Sequence, residues 1–193
     1  MTVGLFFGSF NPIHIGHLAI ANYMLAFTDI DELWFVVSPH NPFKERHHML
    51  SEADRLHLVN LAIDNHSSYK SCDIEFHMPK PSFTVDTLIS LADRYPQQKF
   101  ALIMGSDNLE QFHKWKNSET IIANFHRYIY PRSGTASHLM EHIPNATVVD
   151  APLMDISSTF IRQAIADRKD VPFFLHDQVY HYIREKHFYV ICD

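Results

Sequence analysis

The sequence predicts an α/β fold, a doubly wound parallel sheet of about five to six strands with helices on both faces. Three observations point there. Strand-length apolar runs recur along the chain, nearly continuous and not alternating, as strands buried on both faces require. Between them lie stretches whose apolar residues repeat with helical spacing. The first run passes through a glycine-containing loop straight into a helical stretch, the order of a βα unit.

The apolar runs fall at residues 3–7, 33–37, 74–76, 100–104, 128–130 and 147–149, with 74–76 the weakest. The first leads through Gly8-Ser9-Phe10-Asn11-Pro12-Ile13-His14-Ile15-Gly16-His17 into an apolar stretch, residues 18–27. A helix is expected to begin near Ile15. Ser51 and Asp54 form a capping-box-like start for Glu52–Ile63. Leu88, Leu91, Ala92 and Tyr95 lie at i, i+3, i+4 and i+7, and Pro96 ends that helix. Ser157 or Ser158 can cap a helix that buries Ile161, Ala164 and Ile165. Leu175, Val179, Tyr182 and Ile183 mark a last helix, closed near cationic Lys186.

The 193 residues contain no internal repeat, low-complexity segment or linker-like shift, so residues 1–193 read as a single domain. A net charge of −6 argues against general binding to nucleic acid or an anionic membrane. Any phosphate site must be a local pocket. Cys72 and Cys192 lie far apart and form no C-x-x-C pair, which suits a reducing cytoplasm better than a disulfide framework. No signal peptide or membrane-spanning run is expected. A homo-oligomer is left open. The 15 histidines are dispersed and show no H-E-x-x-H cluster, so most read as structural or surface groups and a zinc hydrolase is not suggested.

Chemistry concentrates in a few stretches. Gly8 allows a backbone path that a Cβ would obstruct, Gly16 lets another backbone or a ligand approach closely, and His14 and His17 stand at a helix start, where free N–H groups and the helix dipole favour an anion. Either imidazole can donate to phosphate oxygens, and either could carry charge there. Ile156-Ser157-Ser158-Thr159-Phe160-Ile161-Arg162 supplies a second helix start with hydroxyls and a guanidinium suited to a polyphosphate. Gly105-Ser106-Asp107-Asn108 follows an expected strand, where Asp107 either caps a helix or contacts a base or ribose. Trp115 is core by default and a stacking platform if the ligand carries a flat ring. Lys80-Pro81-Ser82-Phe83-Thr84 reads as a helix start with Thr84 as a cap. The loop at residues 39–48, with Lys44 and Arg46, reads as a surface segment that would reach phosphates if it closed as a lid. A G-x-G-x-x-G pattern is absent, which weakens a dehydrogenase reading.

Taken in order, these stretches resemble the H-x-G-H nucleotidyltransferases, a Rossmann-like superfamily. Residues 8–17 and 156–162 look like its two signatures, H-x-G-H and I-S-S-T-x-I-R. The stretches at 81–88 and 105–115, and a tail at 175–189 similar to L-P-x-x-V-x-x-Y-I, look more narrowly like bacterial nicotinate-nucleotide adenylyltransferase. The resemblance implies that ATP and nicotinate mononucleotide give deamido-NAD and pyrophosphate with Mg²⁺, in NAD biosynthesis. It implies an ATP site of Gly8, Ser9, Phe10, His14, His17, Gly105, Asp107, Ser157, Ser158 and Arg162. Of these, His17 would hold the α-phosphate, His14 the phosphate chain, and Arg162 with Ser158 the leaving pyrophosphate. Lys44, Thr84, Trp115 and Arg132 would serve the mononucleotide, with Trp115 stacked on the pyridine ring. Magnesium would be held by phosphates and water, with no protein ligand set. Phe7 and Asn11 stand where the family often has glycine and an acid, and His176 where it usually has proline. Alternatives are an enzyme preferring nicotinamide mononucleotide, another H-x-G-H adenylyltransferase, a catalytically silent nucleotide-binding regulator, and a metal-dependent hydrolase.

Overall fold

The architecture follows from which residues each strand turns to which side. The computed structural model describes residues 1–39, 49–64, 66–134 and 143–190. Six parallel strands form one sheet: β1 Thr2–Gly8, β2 Glu32–Val37, β3 Tyr69–Cys72, β4 Lys99–Gly105, β5 His126–Tyr130 and β6 Ala146–Val148. Their order is β3-β2-β1-β4-β5-β6. Successive side chains point to opposite faces. Leu33, Phe35 and Val37 therefore join one core, while Trp34 and Val36 join the other. Ala101 and Ile103 likewise face away from Phe100, Leu102 and Met104.

Each face is covered by helices. The first core takes α1 Ile15–Phe27, α2 Glu52–Ile63, α6 Ser158–Ala166 and α7 Asp177–Glu185. The second takes α3 Thr84–Arg94, α4 Leu109–Phe112 and α5 Ser118–Asn124. The doubly wound expectation is met. The strand order reverses between β1 and β4, and in such sheets ligands bind in the crevice at the strands' carboxyl ends.

Several local expectations are corrected. Residues 74–76 are not a strand but lie in a 3-10 turn, Ile74–His77, and the third strand is β3. β3 is an edge strand with partly exposed side chains, so it lacks the apolar run of a buried strand. Thr84 does not cap α3: it is the first helical residue, and Phe83 is the N-cap. Asp107 sits inside a 3-10 turn, Ser106–Asn108, not at a cap. Ile165 is only partly buried, and Leu175 precedes α7. Ser51 and Ser157 do cap α2 and α6, accepting from the N–H groups of Asp54 and Phe160 at 3.0 and 3.1 Å.

Two helices close in the same way. After α7, the Phe188 N–H reaches the Ile183 carbonyl and the His187 N–H that of Arg184, with His187 left-handed at φ 51. After α6, Lys169 and Arg168 bond back to Ala164 and Ile165, with Arg168 at φ 58. Both are Schellman turns with no glycine at the left-handed position.

Candidate active site

The crevice between β1 and β4 is built by the loops leaving β1, β4 and β5 and by the starts of α1 and α6. Gly8 ends β1. A Cβ there would come within 2.9 Å of the Phe10 ring, which folds back under the loop. Phe10 takes a left-handed φ of 44, and the Asn11–Pro12 peptide is cis.

His14 is the N-cap of α1 and His17 its third residue. The His14 N–H donates to Nδ1 of His17 at 3.3 Å. That bond makes Nδ1 an acceptor, so a neutral His17 carries its proton on Nε2. The two rings stack with centroids 3.7 Å apart and planes 29° off parallel. Phe10 meets the His17 ring edge-on at 5.1 Å. Gly16 makes room for this pair: a Cβ would lie 3.1 Å from the His14 ring and 3.5 Å from Ile156.

Burial, and then the positive charge of Arg132, lowers the His14 pKa to about 4. Burial, then His14, then Arg132 hold His17 well below its usual value. Both imidazoles are therefore neutral at pH 7 before any anion arrives. The sequence left charge open; the geometry makes them neutral hydrogen-bonding groups. Nδ1 of His14 is buried and has no hydrogen-bond partner.

The I-S-S-T-x-I-R element lies across the loop. Ser158 donates to the Pro12 carbonyl at 2.9 Å, and Arg162 donates through Nη1 to the Asn11 carbonyl at 2.8 Å. A second guanidinium nitrogen of Arg162 reaches Thr159 at 3.2 Å. In this state both side chains fasten α6 to the loop, a task the sequence did not show. From the other side, fully buried Arg55 donates to the carbonyls of Ser9 and Ser38 at 2.6 and 2.7 Å.

A cleft of about 210 Å³ adjoins the loop, lined among others by Gly8, Ser38, Thr84, Gly105, Asn108 and Trp115. Thr84 and Trp115, expected on the mononucleotide side, and Gly8 and Gly105, expected on the ATP side, line this one cleft, far apart though they are in sequence. Trp115 packs on Phe112 at 5.1 Å and keeps part of its ring exposed. Arg132 is fixed by its own N–H, which donates to buried Ser106 at 2.8 Å, and its side chain lies 3.9 Å from Asp107. Its charge reaches both histidines. Lys44 lies outside the described residues. Ser38 follows β2 with no motif and was not singled out, and Asn108 lies within the stretch at residues 105–108 but was given no role.

The sequence matches the family model described as cytidylyltransferase-like over residues 5–164. Two relatives, from Cytophaga hutchinsonii and Bacteroides fragilis, are each named "probable nicotinate-nucleotide adenylyltransferase". The first is 47% identical, covering 98% of each chain. The second is 49% identical, covering 92% of this chain and 88% of its own. Among solved structures, nicotinic acid mononucleotide adenylyltransferase of Plasmodium falciparum complexed with NaAD superposes with a TM-score of 0.83 at 20% identity, covering 97% of both chains. That likeness shows the shared fold. The same Plasmodium protein complexed with APC gives 0.81. With the sequence matches spanning nearly the whole chain, the protein belongs to the cytidylyltransferase-like family, among its nicotinate-nucleotide adenylyltransferases.

Proposed function

We infer that the protein transfers AMP from ATP to nicotinate mononucleotide, giving deamido-NAD and pyrophosphate in NAD biosynthesis. The observation that carries this reading is the stacked, neutral His14–His17 pair at the start of α1, set beside the Trp115–Thr84 cleft. A triphosphate seated on α1 and a flat-ringed mononucleotide in the cleft would meet at the β1–β4 crevice.

The nucleophile is the mononucleotide's own phosphate, whose second pKa of about 6 leaves it largely dianionic at neutral pH. No general base is needed, and imidazoles held neutral by burial are poorly suited to act as one. Nε2–H of His17 is assigned to the α-phosphate oxygens, where charge builds in the transition state. His14 is assigned to the phosphate chain. Arg162 and Ser158 serve the leaving pyrophosphate, either by exchanging loop carbonyls for phosphate oxygens or by using donors left over. Arg132 adds a fixed positive charge between the two substrates.

The groups here are imidazoles, guanidinium groups and hydroxyls, which suit phosphate oxygens better than a hard divalent cation. Among the described residues, no group of three or more His, Cys, Asp or Glu is placed to hold a metal. Magnesium would enter on the triphosphate with water filling its remaining positions, and would offset phosphate charge. No described helix is long and apolar enough to cross a membrane. A reducing cytoplasm is the proposed setting, on the cysteine usage.

The test compares initial rates of pyrophosphate release with nicotinate and with nicotinamide mononucleotide. A strong preference for the acid is expected. A preference for the amide would reassign the substrate. ATP binding without release from either would make the protein a nucleotide-binding regulator. Trp115→Ala should raise KM for the mononucleotide by about tenfold, the equivalent of one lost aromatic stack, with less effect on ATP. The reverse order would move Trp115 to the ATP side.

A further inference from the structure

The loop from Ser9 to Pro12 is gripped from three directions, each through an oxygen atom. Arg55 of α2 takes the Ser9 carbonyl, Ser158 of α6 takes that of Pro12, and Arg162 that of Asn11. The third direction is the far end of the chain. The Tyr189 hydroxyl donates to Oδ1 of Asn11 at 2.8 Å, and the same oxygen accepts from the Leu50 N–H at 3.2 Å. Asn11 is 3% exposed, between left-handed Phe10 and Pro12. The charges of Arg162 and Arg55 both reach the Tyr189 hydroxyl, so it sits among the groups that hold the loop.

Nothing in the adenylyl-transfer reading uses Tyr189, yet the fold takes some trouble to place it. The Schellman turn after α7 reverses the chain. Phe188 packs on Tyr182 at 5.9 Å, and Tyr189 itself adopts a left-handed φ of 65. A non-glycine residue in that region is held there by its surroundings. The direction of the grips matters for an anion. Carbonyl and amide oxygens carry the negative ends of their dipoles, and an oxygen turned toward the crevice would repel phosphate. Here those of residues 9, 11 and 12 are bonded to α2, α6 and the tail.

We propose that Tyr189 is a positioning residue for the nucleotide-binding loop, acting through the Asn11 side chain. It touches no substrate. It keeps Asn11 oriented so that the His14–His17 end of the loop stays in register with the start of α6. The proposal rests on the assigned reaction only for its kinetic readout.

The experiment is Tyr189→Phe, Asn11→Ala and the double variant, each measured for melting temperature, for kcat and KM with both substrates, and for ATP affinity by calorimetry. Wild-type turnover tests the reaction; the variants, relative to wild type, test the positioning role. Tyr189→Phe keeps the ring, so melting is expected to fall by only a few degrees. The kcat is expected to fall about tenfold, and KM for ATP to rise more than KM for the mononucleotide. The double variant should be no slower than Asn11→Ala alone, because Asn11→Ala already removes the contact that Tyr189→Phe removes. Losses that multiply would overturn the route through Asn11. Tyr189→Phe with kcat and ATP affinity within twofold of wild type would make Tyr189 a packing residue and sink the proposal. If Tyr189→Phe fails to fold, Asn11→Ala decides alone, and unchanged kinetics there would refute it. Should the wild type bind ATP without transferring AMP, the reaction reading fails. ATP affinity then decides: weakening of threefold or more in Tyr189→Phe sustains the positioning role, and no change ends it.

Discussion

His17 does two jobs with one ring. Nδ1 accepts the His14 N–H and helps close the first turn of α1, leaving Nε2 to carry the proton. His17→Ala should therefore lower kcat about a hundredfold, the usual loss for one transition-state donor. It should also lower stability by about 1 kcal/mol as a lost helix cap, seen as a lower urea midpoint. His17→Asn offers an oxygen to the same N–H and should recover much of the stability without the rate. Unchanged kcat in His17→Ala would remove the central assignment. The His14 pKa of about 4 gives a pH dependence of definite sign. An unfolded histidine binds its proton near pH 6.5, while the folded one resists until about pH 4. Below pH 6.5 the unfolded state thus holds more protons, so stability from this site is complete above that pH and is lost progressively toward pH 4. Urea midpoints at pH 7 and pH 5 should show the fall, and His14→Gln should lessen it, leaving the part that His17 contributes. A bound triphosphate raises the proton affinity of nearby imidazoles.

At the scale of elements, the reading of the chain succeeded where burial leaves a local signature. β1, β2, β4 and β5 are covered on both faces, and that coverage writes continuous apolar runs into residues such as Leu33 to Val37. β3 carries Tyr69-Lys70-Ser71-Cys72 at an edge, where no such run is required, and the nearby Ile74 and Phe76 drew the strand to the wrong place. The helix starts at the site were legible because capping and anion binding both select short polar side chains at fixed spacing. Arg55 and Tyr189 were not: they reach the loop over 46 and 178 positions, and no period or motif encodes such a contact. Element chemistry also supports a stability prediction. His187 is exposed and left-handed at the turn after α7, a conformation that suits glycine better. His187→Gly is expected to stabilise by roughly 0.5–1 kcal/mol, raising the melting temperature by about 1–4 °C. A lower melting temperature would mean that the imidazole makes a contact worth more than the backbone strain.

For the whole molecule, Arg132 and Arg162 stand beside the crevice of an acidic chain of net charge −6. Arg132 and Arg162 act locally, against a background that repels phosphates, so added salt has opposite effects on the two contributions. The connectivity carries a different consequence. β1 lies in the middle of the sheet, yet it is the first strand in sequence, and its loop is fastened by α2, α6 and Tyr189. Contacts of such long sequence separation close late and slowly, because the loop entropy must be overcome before they reward it. Turnover should then recover last in a refolding experiment, after helical signal and core burial have returned. The enzyme's own activity would serve as a clock for the completion of its fold.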